Sequence, residues 1–74
     1  MNFTKALRKI VLYDEKFVAM QLEIPEFSIV YTFRIDPSGA DRLLFFENDR
    51  ELFCRLPIDL LLSNNWKLIK ANKR

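Results

Sequence analysis

Residues 17–35 read FVAMQLEIPEFSIVYTFRI, and this stretch decides the fold. Through residues 17–24, and again through 28–35, the side chains fall into two alternating sets, and the second run is rich in β-branched and aromatic residues. A period of two is typical of a strand, and these residue types suit a pleated, half-buried surface. Pro25 ends the first run, because proline has no backbone N–H to donate to a neighbouring strand. The stretch therefore predicts two consecutive strands.

The same alternation assigns side chains to the faces of these strands. In the first strand, one predicted face carries Val18, Met20, Leu22 and Ile24. In the second strand, one predicted face carries Ile29, Tyr31, Phe33 and Ile35. The other face of the second strand carries Ser28, Val30, Thr32 and Arg34. Arg34 is therefore the only charge on an otherwise small and uncharged strand face.

Two further strands are predicted beyond this stretch. Residues 36–39, DPSG, predict a turn, because proline presets φ at about −65° and glycine tolerates a positive φ. A strand over 42–47 follows, which is apolar on both faces and is therefore expected at the centre of the sheet or at an interface. Residues 48–49 predict a hairpin turn into a fourth strand over 51–56.

The N-terminal segment predicts a helix over residues 3–11. Its apolar residues recur at i, i+3, i+4 and i+7, which places them on one stripe: Phe3, Ala6, Leu7 and Ile10. Asn2 is expected to cap this helix, because its side-chain oxygen can accept a hydrogen bond from a free backbone N–H of the first turn.

The C-terminal segment predicts a short helix and a closing strand. Pro57 suits the first turn of a helix over 58–63, where its missing N–H costs nothing, and a strand follows over 66–70. Trp66 is expected to be a core anchor that packs against the apolar stripe of the first helix. A ligand-stacking role for this indole is the alternative.

The predicted fold class is α+β: an N-terminal helix, an antiparallel meander of four to five strands, and a short C-terminal helix before the last strand. The 74 residues allow one small domain, which we place at 1–70, with a frayed basic tail at 71–74.

Composition argues against most kinds of catalysis. The chain has no His and a single Cys, which excludes Ser-His-Asp and Cys-His catalysis and His-ligated metal sites. Cys54 falls on a predicted face with Leu52 and Leu56, so we interpret it as a buried core residue rather than a nucleophile. The acidic residues are interpreted as surface and turn residues, not as a metal or acid–base site. We therefore expect a non-enzymatic protein without a cofactor or a metal.

Charge and hydropathy limit the partners. Twelve Lys and Arg against ten Asp and Glu give a net charge of +2, which is weak for a nucleic-acid partner. No apolar run approaches the roughly 18–20 residues of a membrane span, and no secretory pattern opens the chain, so we expect the cytoplasm. Half of the residues are hydrophobic, which is a large share for a chain this short. We therefore expect a homo-oligomer, with a well-filled monomeric core as the alternative.

Arginine and aromatic residues are interleaved on the predicted strands. Such a combination can bind phosphates through bidentate hydrogen bonds and bases through stacking, although solvated charge on a sheet is the simpler interpretation. Arg34 is the best candidate ligand-binding residue, and Arg55 is the second, because it can share a strand face with Phe53. Tyr31 is the candidate for stacking on a base.

The two ends of the chain together resemble a phage protein family. The opening MNFTKAL, residues 1–7, is similar to the Met-x-Phe-x-x-Ala-Leu start of the second Thoeris anti-defence family. Residues 56–69, LPIDLLLSNNWKLI, resemble the end of that family: a Pro, then Asp-Ile/Leu-Leu, a polar step into Trp, and a short apolar strand. The segment 13–20 departs from the family, which there carries Gly-Lys-Lys and a second Trp.

The resemblance implies a non-enzymatic sponge. The characterised members of that family sequester a cyclic ADP-ribose-type immune signal between the subunits of a homo-oligomer. The matching positions are scaffold positions, so the resemblance assigns no ligand-binding residue to this chain.

Two other functions stay open at this point. The apolar strand at 43–46 can be a docking surface through which the protein inhibits a host defence protein directly. Single-stranded nucleic acid is a third, weaker candidate ligand, because aromatic and arginine side chains share the sheet while the net charge is low.

Overall fold

The computed structural model describes residues 1–13, 16–38, 42–52 and 58–71. The elements, in chain order, are α1 (Phe3–Leu12), β1 (Phe17–Ile24), a 3₁₀ turn (Pro25–Phe27), β2 (Ile29–Ile35), β3 (Leu43–Glu47), β4 (Arg50–Leu52), α2 (Ile58–Leu62) and β5 (Lys67–Lys70). The strands form one antiparallel sheet in the order β4-β3-β2-β1-β5. The predicted α+β class is confirmed, including the short helix before the last strand.

The first four strands form a meander, and the last strand returns to pair with the first. Met20, near the middle of β1, pairs with Phe33 of β2 on one side and with Leu68 of β5 on the other. β1 is therefore an interior strand. The fourth strand is described over Arg50–Leu52, and the rest of its predicted span, with Cys54 and Arg55, lies outside the described residues.

β1 begins with a bulge that the sequence analysis did not predict. Phe17 pairs with Lys70 while Ala19 pairs with Ile69, so β1 holds one more residue than β5 over this step. A bulge interrupts the alternation of faces. Phe17 packs against the core, whereas Val18 is 46% exposed. The predicted face of Val18, Met20, Leu22 and Ile24 is therefore wrong at Val18, and Phe17 packs on the core side with Met20 and Leu22 instead.

The core lies between one face of the sheet and the two helices. Its buried members are Ala6, Ile10, Met20, Leu22, Tyr31, Phe33, Phe45, Leu60 and Trp66. Phe3 of α1 meets Phe33 and Trp66 edge-on, with ring centroids 5.2 Å and 5.4 Å away. Edge-to-face pairs at such distances are favourable beyond the area that they bury. The predicted packing of Trp66 beneath the first helix is confirmed.

Hydrogen bonds at Trp66 join the two ends of the chain. Its indole Nε1–H donates to the carbonyl of Leu60 at 2.9 Å, and its backbone N–H donates to the carbonyl of Met1 at 3.0 Å. The amino group of Met1 donates back to the carbonyls of Asn64 and Trp66, at 2.9 Å and 3.0 Å. One residue thereby positions α1, α2 and β5 together.

The helix start also agrees with the prediction. The side-chain oxygen of Asn2 accepts a hydrogen bond from the backbone N–H of Lys5 at 2.8 Å, so Asn2 is the N-cap of α1.

In the part of the chain that the structure describes, neither helix is long and apolar enough to cross a membrane.

We expect Trp66→Ala to be largely unfolded or insoluble. Truncating a large buried aromatic costs about 3–5 kcal/mol, and a domain of this size has a total stability of about 5 kcal/mol. Circular dichroism and thermal melting measure the effect. Trp66→Phe is the matched control: it keeps an aromatic ring in the core, loses the indole hydrogen bond and part of the buried ring volume, and should fold with a lower melting temperature. An unchanged melting temperature for Trp66→Ala would contradict the central role of this side chain.

Candidate functional site

One face of the sheet is not covered by either helix, and we call it the open face. The strand register places these side chains on it: Ala19, Gln21, Glu23, Val30, Thr32, Arg34, Leu44, Phe46, Glu51, Lys67 and Ile69. Among the described strand residues of this face, two are cations and two are carboxylates, and Lys67 and Glu23 form an ion pair across β5 and β1. Arg34 is the cation of this set that has no carboxylate of the described residues within 4 Å.

Arg34 is held in place by an aromatic ring. It is exposed on β2, and its guanidinium carbon lies 5.0 Å from the centroid of the Phe46 ring on β3. A cation over a ring face at this distance is attracted to the negative centre of the ring. Within the described residues, no carboxylate lies within 4 Å of this guanidinium. The contact thus orients the side chain while its N–H donors stay available.

A shallow depression of about 280 Å³ surrounds Arg34. Its lining residues are Gln21, Thr32, Arg34, Phe46, Asn48 and Asp49. The side-chain amide of Gln21 donates to the Thr32 hydroxyl at 3.2 Å, which leaves the hydrogen of that hydroxyl free to turn toward a ligand. The depression therefore offers several donors around one guanidinium and has one carboxylate, that of Asp49, in its lining. The donors suit a ligand with anionic or acceptor groups that lies on the Arg34 side.

Asn48 is fixed at the edge of this depression by the turn between β3 and β4. Its φ of 54° lies in the left-handed region, which Asn tolerates better than most residues. Its side-chain oxygen accepts from the backbone N–H of Val30 at 2.9 Å, and its own backbone N–H donates to the carbonyl of Val30 at 2.7 Å. The amide NH₂ of Asn48 is thereby held at a defined position beside the depression.

Tyr31, the predicted stacking residue, lies on the other face of the sheet. It is 8% exposed, its ring stacks on Phe45 with centroids 5.6 Å apart, and its hydroxyl donates to a Glu47 carboxylate oxygen at 3.1 Å. Residues three apart on a strand point to opposite faces, so Tyr31 and Arg34 diverge. The structure does not bring them together, and a ligand on Arg34 does not meet the Tyr31 ring.

The other predicted site residue, Arg55, lies outside the described residues, as do Phe53 and Cys54. In the structure, the aromatic partner of Arg34 is Phe46. From the sequence, Phe46 was predicted only to lie in an apolar strand. The register Thr32↔Phe46 and Arg34↔Leu44 brings it there diagonally. Alternation along β2 also identifies Thr32, two residues before Arg34, as a neighbour on the same face.

Asp36 behaves as a turn residue, as predicted. Its side-chain oxygen accepts from the backbone N–H of Ser38 at 2.9 Å and from the Ser38 hydroxyl at 2.8 Å. The hydrogen bond from the Ser38 backbone contributes most, and the one from the Ser38 hydroxyl contributes next, to holding the pKa of the Asp36 carboxyl below its usual value. Within the described residues, no group of three or more Cys, Asp or Glu side chains is arranged to hold a metal ion.

Comparisons with known proteins add no relative to these findings. No protein-family model, no curated protein and no solved structure matches the chain. The open face is therefore interpreted from its own residues.

The hydroxyl of Tyr31, which donates to Glu47, should make stability fall at high pH. Burial, the hydrogen bond to Glu47 and the Glu47 charge raise its pKa above the ordinary value of 10.0. The folded state therefore retains this proton more strongly than the unfolded state. The resulting stability is fully present below a pH of about 10 and is lost as the pH rises through the folded-state pKa.

Melting temperatures of the wild type and Tyr31→Phe across this alkaline range test the point. At neutral pH the variant should be less stable by about 1 kcal/mol, because it lacks the hydrogen bond. Its melting temperature should decline less above pH 10 than that of the wild type. Equal alkaline slopes in the two proteins would contradict the assignment to Tyr31.

Proposed function

We propose that this protein is a non-enzymatic binding protein of phage or prophage origin that sequesters a nucleotide-derived immune signal, of the cyclic ADP-ribose or cyclic nucleotide type. The observation that carries the proposal is the guanidinium of Arg34, positioned on Phe46 with no carboxylate of the described residues within 4 Å. Arginine binds phosphate through two parallel hydrogen bonds, and a guanidinium held in place loses less entropy when they form.

The neighbours of Arg34 supply the rest of the recognition. Arg34 contacts the phosphate, while the hydroxyl of Thr32 and the amides of Gln21 and Asn48 hydrogen-bond to polar edges of the ligand. Phe46 supplies apolar surface for a ring. The residues carry no nucleophile–base pair, and for that reason we propose binding without turnover.

A second copy of the chain is part of the proposal. The depression of about 280 Å³ is shallow and lies just below the range for ligand pockets, roughly 300–1,000 Å³. Two open faces placed against each other would enclose a larger cavity. The described strand residues of this face include as many cations as carboxylates, so their charges do not oppose such pairing. The apolar side chains of Val30, Leu44 and Ile69 would be removed from water. The sponges that the chain ends resemble likewise hold their signal between subunits.

The host cytoplasm is the proposed location, because an immune signal of this kind is a soluble nucleotide derivative. The half-hydrophobic composition supports an assembled state rather than a free monomer.

Arg34→Ala should fold normally and lose the ligand. Hydrogen bonds to a charged group contribute about 1.5–3 kcal/mol, so affinity should fall at least about tenfold. The purified protein is incubated at micromolar concentration with cyclic nucleotides and cyclic ADP-ribose isomers. Chromatography then measures depletion and the release of unchanged compound after heating. Arg8→Ala is the matched control, since it removes an exposed arginine from α1, on the other side of the sheet.

Three outcomes of this experiment would count against sequestration. Depletion of none of the compounds by the wild type is the first. Recovery of an altered compound after heating is the second, since it would indicate an enzyme. Equal depletion by Arg34→Ala and the wild type would place the ligand elsewhere.

A protein partner is the second candidate, in which the chain inhibits a host defence protein directly. Three large apolar side chains favour it: Phe27, Ile58 and Leu62 are 73%, 71% and 73% exposed. Ile58 and Leu62 lie four residues apart and so share one side of α2.

The strand first considered for docking, β3, contributes Leu44 and Phe46 to the open face, while Phe45 is in the core. A stoichiometric protein captured from bacterial lysate, with no small molecule in the purified sample, would favour this alternative.

A further inference from the structure

The solvent side of α1 carries three cations that have no role in the proposed ligand site. Lys5, Arg8 and Lys9 line a groove of about 450 Å³, which continues to Leu12 and Tyr13. α1 packs on the sheet face opposite Arg34, so this basic groove and the open face are separate surfaces.

Helix stability does not explain the position of Lys5. Side chains three and four residues apart are neighbours on a helix, so Lys5 lies beside both Arg8 and Lys9, and like charges at this spacing repel. Lys5 also lies in the first turn of α1, which contains no acidic residue. The positive end of the helix dipole disfavours a cation there. Arg8 and Lys9 lie nearer the C-terminal end, where the dipole favours them.

The described part of the chain does not neutralise this charge. Its only ion pair joins Lys67 to Glu23, on the sheet. Lys5 and Arg8 are exposed. At the end of the groove, Leu12 and Tyr13 are 64% and 51% exposed. The surface thus combines a concentrated positive charge with two adjacent apolar side chains.

We propose that the basic groove docks an acidic segment of a partner protein. Carboxylates of that segment pair with Lys5, Arg8 and Lys9, and an apolar side chain that follows them covers Leu12 and Tyr13. Charge complementarity of this kind steers encounter and selects the partner.

Two other anionic partners fit the groove less well. The apolar stripe of α1 packs in the core, with Ala6 and Ile10 fully buried, so the exposed apolar side chains beside the cations are limited to Val11, Leu12 and Tyr13, a small area for contact with a membrane. A single-stranded nucleic acid needs a row of stacking platforms, and Tyr13 is the one aromatic residue among the described residues that line the groove. An acidic peptide needs only the local charge and one apolar contact.

Fluorescence anisotropy of a labelled peptide tests this proposal on the full chain. The probe is a twelve-residue peptide in which Asp and Glu alternate with Leu and Phe, measured at low and high salt. Lys5→Glu and Arg8→Glu should each weaken its binding at least about tenfold. Lys5→Glu should also keep or raise the melting temperature, because it places an acid in the first turn of α1. Loss of binding in a protein that is no less stable cannot come from unfolding.

Arg34→Ala is the matched control and should bind the peptide as the wild type does, so this proposal and the proposed ligand site can fail separately. Three results would overturn the acidic-segment proposal. They are no binding at low salt, equal binding by Lys5→Glu, and tighter binding of a twelve-nucleotide oligothymidylate or of phosphatidylserine vesicles than of the peptide.

Discussion

The hydrogen bonds and ring contacts of Trp66 are the interaction on which the rest of the structure depends. The indole donates to Leu60 of α2, the backbone N–H donates to Met1, and the ring meets Phe3 of α1 edge-on. These contacts hold the last strand where it can pair with β1. With β5 in place, β1 has a neighbour on both sides, and its Gln21 belongs to the interior of the open face instead of a sheet edge.

Alternation along β2 then separates the core side of the sheet from the open face. Tyr31 and Phe33 point toward α1 and build the aromatic part of the core with Phe45. Thr32 and Arg34 point the other way. Because one strand serves both sides, a residue that leaves the core face by a shift of register arrives on the open face. The stacked rings of the core therefore also fix the position of Arg34.

Much of this arrangement could be predicted from the sequence, because its apolar residues recur clearly every two residues in the strands and at helical spacing in α1. Alternation located β1 and β2, the apolar stripe located α1, and the large size of Trp66 identified the core anchor. The bulge at the start of β1 was not predictable, because Phe17 and Val18 are both apolar and only the pairing with β5 distinguishes them. The alternation already placed Tyr31 and Arg34 on different faces. The contact between Arg34 and Phe46 requires the register between β2 and β3, which the residue pattern does not contain.

The distribution of charge constrains how copies of this protein can assemble. The described strand residues of the open face include as many cations as carboxylates, so these residues set up no net repulsion between two such faces. Two basic grooves placed together would bring three cations from each copy against one another, which electrostatics opposes. Assembly through the open face would enclose Arg34 and leave α1 pointing outward on both sides. If both surfaces bind as we propose, they would act at the same time, one enclosed between copies and the other presented to a different partner.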